Sequence, residues 1–136
     1  MLATLLTVLL NAADVPADDL TKMEGTWIAV SWEFEGKSYP AGGHRLEAKG
    51  DRFIWDDGNH KVSTSITHIG PAKEPKEIDL TVVEGAQEQT LLGIYKVDGD
   101  TFTVCTSSRG ERPTEFSAEP GSGYLLRVPK RNKPKP

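Results

Sequence analysis

Short segments in which hydrophobic and polar residues alternate run through this chain from Trp27 to Val128. Such alternation is typical of a β-strand with one buried face. Asp57-Gly58-Asn59 and Asp98-Gly99-Asp100 separate neighbouring segments, and Asp-Gly pairs favour tight hairpin turns. About eight or nine short strands at this spacing predict an all-β fold, either an up-and-down antiparallel barrel or a sandwich. The predicted strands are 27–35, 44–48, 52–55, 61–69, 77–83, 90–97, 101–107 and 124–128.

Gly25-Thr26-Trp27 opens the first predicted strand, directly after a predicted helical turn at residues 20–24. A glycine before a large ring allows the chain to turn tightly while the ring closes one end of a small barrel. The first strand has two unlike faces, and the sequence leaves open which one points inward. One face carries Trp27, Ala29, Ser31 and Glu33, and the other carries Ile28, Val30, Trp32 and Phe34.

Composition and charge favour one soluble domain that does not bind nucleic acid. The chain has 136 residues, which suits a single domain, and we place that domain at residues 20–130. Residues 131–136 are predicted to be a disordered basic tail. Without the four basic residues of Lys130–Lys135, the body has 12 basic and 20 acidic residues, whereas a nucleic-acid-binding domain usually carries a basic face. The single cysteine, Cys105, excludes an internal disulfide and is predicted to be a buried, inert thiol.

The first ten residues form a short apolar stretch, which is followed by Asn11-Ala12-Ala13. Its length suits the core of an export signal peptide and is too short to span a bilayer. We therefore predict a signal peptide at residues 1–13, a periplasmic or extracellular location and no stable membrane insertion. No Lys or Arg precedes the apolar stretch, which leaves open an N-terminal helix on a cytoplasmic protein or a truncated longer signal.

An ordered set of motifs resembles an uncharacterised lipocalin-like domain family best known from planctomycete bacteria. The motifs include Gly25-Thr26-Trp27, Gly36-Lys37, Gly50-Asp51-Arg52-Phe53, Ile78-Asp79-Leu80, Gly93-Ile94-Tyr95, Asp98-Gly99-Asp100-Thr101, Glu111-Arg112-Pro113-Thr114-Glu115-Phe116 and Gly121-Ser122-Gly123. The resemblance implies a lipocalin-like barrel of about eight strands and no established activity. It also implies that Gly25 and Trp27 belong to a barrel-closing motif, with Arg127 similar in position to the late arginine that packs over the tryptophan.

Four residues are candidates for ligand binding. Trp32, Trp55 and Tyr95 stand at alternating positions and either line a cavity or simply fill the core. Arg112 lies in a polar loop, predicted near a barrel end, where it either holds a polar ligand group at the mouth or pairs with Glu115 or a backbone carbonyl. In the structural alternative, Phe116 of the same loop plugs the core.

The sequence contains no motif for catalysis or metal binding. His44, His60 and His68 lack the spacing of a convergent metal site, and no Gly-x-Ser-x-Gly motif is present. We therefore predict no enzyme activity, no metal and no cofactor. The predicted function is an exported domain that binds a small apolar molecule inside its barrel. The alternative is a protein-interaction or inhibitor-like module with a filled barrel that acts through its loops.

Overall fold

The structure is a computed structural model that describes residues 17–40 and 44–132. In these residues, a short helix, α1 (Ala17–Met23), precedes nine antiparallel strands. The strands are β1 (Gly25–Phe34), β2 (Lys37–Pro40), β3 (Arg45–Lys49), β4 (Arg52–Asp56), β5 (Lys61–Gly70), β6 (Lys76–Glu84), β7 (Gln87–Asp98), β8 (Thr101–Ser107) and β9 (Tyr124–Arg131). The predicted all-β fold with a short N-terminal helical segment is confirmed.

The strands close into an up-and-down barrel. Strands β3 to β9 each pair with the next along the chain, and β9 pairs back with β1. β2 and β3 pair with successive parts of β1 and share one strand position, so the barrel has eight. The sequence predicts a turn at Lys37 and a loop from residue 39, whereas Lys37–Pro40 pairs with β1 instead. The rest of that predicted loop, residues 41–43, lies outside the described residues.

The turn between β4 and β5 forms where the sequence predicts it. The Asp57 Oδ1 atom accepts hydrogen bonds from the backbone amides of Asn59, at 2.8 Å, and His60, at 2.7 Å. Aspartate favours turns because its side chain can satisfy amides two or three residues further along. This hairpin lies at the barrel end opposite α1.

A β-bulge in β1 brings residues from both of its predicted faces to the barrel interior. Trp32 pairs with Arg127 and Ala29 pairs with Pro129, so two residues of β1 face one residue of β9 between these pairs. An extra residue reverses the alternation of side chains beyond it. Trp27 and Ala29 are buried before the bulge, and Trp32 lines the interior cavity after it. Neither predicted face of the first strand is therefore the inward face along its whole length.

The half of the barrel nearest α1 is filled with side chains, which we call the floor. The Trp27 and Phe53 rings are fully buried, with their centroids 5.6 Å and 5.7 Å from that of Phe102. The other buried members are Met23, Leu46, Ala48, Ile66, Ile69, Ile78, Leu80, Tyr95 and Val104. This contiguous cluster closes the lower half of the barrel.

The segment between β8 and β9, residues 108–123, covers part of the outer wall. A second hydrophobic cluster lies beneath it, with Ile94, Ala118 and Leu126 buried and Phe116 packed against them. Phe116 therefore plugs this outer cluster rather than the barrel interior. Cys105 is also buried in the cluster, as predicted, and its Sγ lies 3.4 Å from the carbonyl oxygen of Ser117.

The predicted boundaries are only partly covered by the described residues. β9 continues through Arg131, so the first residue of the predicted tail belongs to the barrel. Residues 1–13, the predicted signal peptide, and residues 133–136 lie outside the described part of the chain. Within the described part, no helix has the length and apolar character needed to cross a membrane.

Candidate functional site

The closed end of the barrel is built around Trp27. Its indole Nε1 donates a hydrogen bond to the carbonyl of Met23, at 2.8 Å, which ties α1 to β1. The guanidinium of Arg131 lies over the ring, 4.1 Å from its centroid. The same guanidinium donates to the carbonyls of Lys22, at 2.9 Å, and Glu24, at 2.8 Å. Arg131 thus joins the end of the helix to the end of the last strand.

Gly25 is required by this closure for two reasons. Its φ is +126°, in the region that favours glycine. A Cβ on Gly25 would also lie 2.9 Å from the Arg131 Nη1 atom. The predicted closing roles of Gly25 and Trp27 therefore have a direct structural basis, but their arginine partner is Arg131.

Arg127 is not part of the closure, which corrects the role expected for it. It pairs with Trp32 of β1 and Val104 of β8, and its side chain enters the barrel above the floor. Its guanidinium lies 4.4 Å from the centroid of the Trp55 ring on β4. Arg127 and Arg131 are four residues apart on β9, and the sequence alone does not show which of them reaches Trp27.

The upper half of the barrel holds a cavity of about 230 Å³ directly above the floor. Most of its wall is apolar, and the apolar lining residues are Ala29, Trp32, Trp55, Val62, Leu80, Val82, Leu91 and Val104. A rim of polar residues surrounds the opening. The rim residues are His44, Arg45, Asp56, Asp57 and His60. The geometry is that of a small, open-ended ligand pocket.

Two predicted ligand-binding residues lie in the cavity wall. Trp32 stacks on Tyr39 of β2, with centroids 4.3 Å apart and ring planes 15° from parallel. Trp55 packs edge-on against Phe53 of the floor, with centroids 5.9 Å apart. These contacts fix the two indole rings, so the cavity wall is preorganised.

Arg127 supplies a positive charge inside this mostly apolar cavity, whose lining also includes Thr64 and Thr106. Burial lowers the pKa of its guanidinium to about 10, so the group remains protonated at neutral pH. Among the described residues, its guanidinium has no ion-pair or hydrogen-bond partner, and its contact is the face of Trp55. A cation–π contact of this kind stabilises a charge only modestly. Among the described residues, Arg127 therefore forms no ion pair, although the carboxylates of Asp56 and Asp57 stand at the rim of the same cavity.

Thr64 of β5 also faces the cavity, and sequence reasoning missed it. The residue is 3% exposed, and its Oγ1 is the one buried side-chain polar atom in the described residues that has no hydrogen-bond partner. Val62, Thr64 and Ile66 alternate along the same strand. A threonine between two aliphatic residues on the same strand face is the sequence signal that could have predicted this inward-facing hydroxyl.

Tyr95 lies in the floor and does not line the cavity, as in the alternative in which it fills the core. Its hydroxyl donates a hydrogen bond to the carboxylate of Asp19, which is 5% exposed. Lys76 Nζ lies 3.4 Å from the same carboxylate. Burial, together with the bond to Asp19, raises the pKa of the Tyr95 hydroxyl. Tyr95 therefore anchors α1 to the barrel.

Arg112 lies on the outer wall rather than at the mouth of the cavity, so its predicted ligand-binding role stays a prediction. Its Nη1 lies 2.7 Å from Asp79 Oδ1 and donates to the carbonyl of Gly93 at 2.9 Å. Its Nε lies 3.6 Å from Glu77 Oε2. Arg112 therefore pairs with acidic side chains and a backbone carbonyl, as in the alternative given above. The acidic partners are Asp79 and Glu77 rather than Glu115.

His44 and His60 lie at the rim of the cavity, whereas His68 lies on the outer wall. His60 Nδ1 is 4.0 Å from Asp57 at the rim, and His68 Nε2 is 3.3 Å from Glu77 on the outer wall. The backbone amides of His60 and Asn59 lower the pKa of Asp57, which marks it as a turn carboxylate rather than a proton donor at neutral pH. Among the described residues, no three His, Cys, Asp or Glu side chains form a group that could hold a metal ion.

Comparisons with protein-family models, with curated proteins and with solved structures found no match for this chain. The lipocalin-like family relationship therefore remains a prediction from the sequence motifs.

Proposed function

We propose that this protein is a non-catalytic domain that binds one small apolar molecule inside its barrel. The observation that carries this proposal is the cavity of about 230 Å³ above the floor, with a mostly apolar wall. An eight-stranded barrel is either just filled by side chains or holds a small ligand, and an interior cavity favours the second outcome. Trp32 and Trp55 offer flat apolar surfaces to such a ligand.

The size of the cavity limits the ligand to a small molecule. Cavities that enclose drug-sized ligands usually measure about 300–1,000 Å³. A cavity of 150 Å³ holds benzene, so by proportion one of about 230 Å³ suits roughly nine non-hydrogen atoms. An aromatic ring with a short substituent or a chain of about eight carbons meets this limit.

The proposal includes a lipocalin-like relationship and export from the cytoplasm. The packing of Gly25, Trp27 and Arg131 at one barrel end supports the first part, because it reproduces the predicted closure with a different arginine. Export rests on the apolar character of residues 1–13 alone.

The alternative, an interaction module that acts through its loops, has no specific support in the described residues. An exposed apolar patch would favour it. In residues 17–40 and 44–132, the exposed large hydrophobic residue is Val83, 60% exposed near the turn after β6. A single exposed valine does not make a docking surface.

Calorimetric titration with three small probes, indole, octan-1-ol and octanoate, tests the proposal. We expect at least one probe to bind, and we expect Ala29→Leu to weaken that binding at least about tenfold because the larger side chain occupies part of the cavity. Ala72→Leu is the matched control, since Ala72 is exposed in the turn after β5. Absence of binding by all three probes, or unchanged binding in Ala29→Leu, would contradict the proposal.

A further inference from the structure

The polar groups inside the cavity indicate the chemical class of the ligand more specifically than the apolar wall does. The guanidinium of Arg127 stacks on Trp55 and, among the described residues, pairs with no carboxylate. Arg131, four residues later on the same strand, pairs with Asp100 and several carbonyls. Charges that are removed from water are usually paired. Arg127 is half-buried in an open pocket, so its unpaired guanidinium is available to an anion that arrives with a ligand.

Thr64 supplies a second, independent observation. Its hydroxyl faces the same cavity, is nearly inaccessible to water and has no hydrogen-bond partner among the described residues. A buried hydroxyl without a partner is unfavourable, and such groups are rare in folded proteins. A hydroxyl can donate to an anionic oxygen, so a ligand oxygen at this position would satisfy it.

We propose that the cavity selects a small apolar monocarboxylate, with the carboxylate paired to the guanidinium of Arg127 and accepting a hydrogen bond from the hydroxyl of Thr64. This inference rests on the proposed function and names the chemical class of its ligand. The apolar part of the ligand lies against Trp32 and the aliphatic wall.

The charge balance favours a carboxylate over a phosphate. Arg127 is the charged side chain directly above the floor among the described lining residues, whereas Arg45, Asp56 and Asp57 lie at the rim of the cavity. One guanidinium neutralises one negative charge, whereas a phosphate monoester carries about −1.5 to −2 at neutral pH. The fork of an arginine also matches the two oxygens of a carboxylate. A single monoanion therefore fits the charge that the cavity presents.

The first experiment compares ligands of one chain length on the unmodified protein. Octanoate, octan-1-ol, n-octylamine and octyl phosphate are titrated at neutral pH, with binding followed by calorimetry. We expect octanoate to bind at least about tenfold more tightly than octan-1-ol, because hydrogen bonds to charged groups are among the stronger ones in proteins. The amine should bind more weakly than the alcohol.

The second experiment assigns the preference to named residues. Arg127→Met should reduce the octanoate preference over octan-1-ol to less than about twofold, and Thr64→Val should reduce octanoate affinity several-fold while leaving the alcohol nearly unchanged. Arg52→Met is the matched control, because Arg52 is exposed on β4 and does not line the cavity. Arg45→Met tests the rim arginine and should keep the preference. Thermal melts of each variant show that it is folded.

The outcomes separate the two proposals. Equal affinity for octanoate and octan-1-ol, or a preference for the amine, would overturn the carboxylate assignment and leave the binding function standing. Tighter binding of octyl phosphate would overturn the monoanion assignment. A preference that survives in Arg127→Met but disappears in Arg45→Met would place the anion at the rim, against the proposal. If none of the four compounds binds, the carboxylate assignment is wrong, and if indole does not bind either, the proposed function itself is wrong.

Discussion

At the scale of a residue, two arginines on β9 make the same kind of contact, a guanidinium over a tryptophan ring, but have different roles. Arg127 and Arg131 each stack on a tryptophan, at 4.4 Å and 4.1 Å from the ring centroid. Arg131 also satisfies backbone carbonyls and lies 3.7 Å from Asp100. Arg127 has no such partner among the described residues. Arg131 therefore holds the fold together. Arg127 instead provides a charge that has no ion-pair partner among the described residues.

This difference predicts opposite effects of one substitution at the two positions. Arg131→Met should lower the free energy of unfolding by about 1–3 kcal/mol, because it removes several charge-assisted hydrogen bonds and a cation–π contact. Arg127→Met should leave it within about 0.5 kcal/mol or raise it, since a half-buried charge without an ion-pair partner among the described residues is replaced by an apolar side chain. Urea denaturation of both variants measures the difference. A larger loss in Arg127→Met than in Arg131→Met would show that the two roles have been exchanged.

The closing ring gives a second prediction at this scale. Trp27 is fully buried in the floor, so Trp27→Ala should lower the free energy of unfolding by roughly 3–5 kcal/mol, as other large aromatic truncations do. Trp55→Ala, at the cavity wall, is the comparison, and we expect a smaller loss because Trp55 is only partly buried. A loss below about 1 kcal/mol for Trp27→Ala would contradict the role of this ring in closing the barrel.

At the scale of strands and helices, the sequence predicted what depends on local signals. Hairpin turns such as Asp57–His60 follow from side chains that satisfy nearby amides, and strands follow from alternation. The bulge in β1 could not be predicted, because it appears only when β1 is paired with β9. The prediction that Arg127 packs over Trp27 failed for the same reason, because the pairing register decides that Arg131 reaches Trp27 instead.

The position of an inward-facing residue along the barrel axis could not be predicted from the sequence either. Trp55 and Tyr95 both occupy inward positions, yet one lies at the cavity wall and the other lies in the floor beside Asp19. Alternation distinguishes inside from outside, but it does not give the height of a residue along the barrel axis. Half of the predicted ligand-binding residues, Trp32 and Trp55, therefore line the cavity, whereas Arg112 lies on the outer wall.

The contact between α1 and β7 predicts a pH-dependent loss of stability. Tyr95→Phe should lower the free energy of unfolding by about 1–3 kcal/mol at neutral pH, because the buried Asp19 loses a donor. The pKa of Tyr95 is raised in the folded state, so its contribution is complete below its unfolded pKa of about 10 and is lost as pH rises above that value. Urea denaturation between pH 7 and about 11 should show a steeper decline for the unmodified protein than for Tyr95→Phe. Parallel declines would contradict the assignment.

At the scale of the whole molecule, stability and binding are assigned to different halves of the barrel. The floor contains the large buried aromatic residues and the ties to α1. The upper half contains a cavity, an arginine without an ion-pair partner and the hydroxyl of Thr64 without a hydrogen-bond partner, both counted over residues 17–40 and 44–132. Each of these three features is unfavourable in the free protein. A protein that binds a ligand in this cavity would recover part of that free energy on binding.

The last prediction tests this division directly. Thr64→Val should raise the free energy of unfolding of the free protein by about 1 kcal/mol, because it removes a buried hydroxyl that has no partner. Octanoate at about one hundred times its dissociation constant should stabilise the unmodified protein by about 2.7 kcal/mol. At that same concentration, the stabilisation should be smaller in Thr64→Val, since its affinity is lower. Thr103→Val is the control, because Thr103 is buried outside the cavity and should leave the octanoate effect unchanged. Thermal melts with and without octanoate measure these effects. If Thr64→Val is less stable than the unmodified protein when free, yet is stabilised equally by octanoate, the hydroxyl belongs to the fold and not to the ligand site.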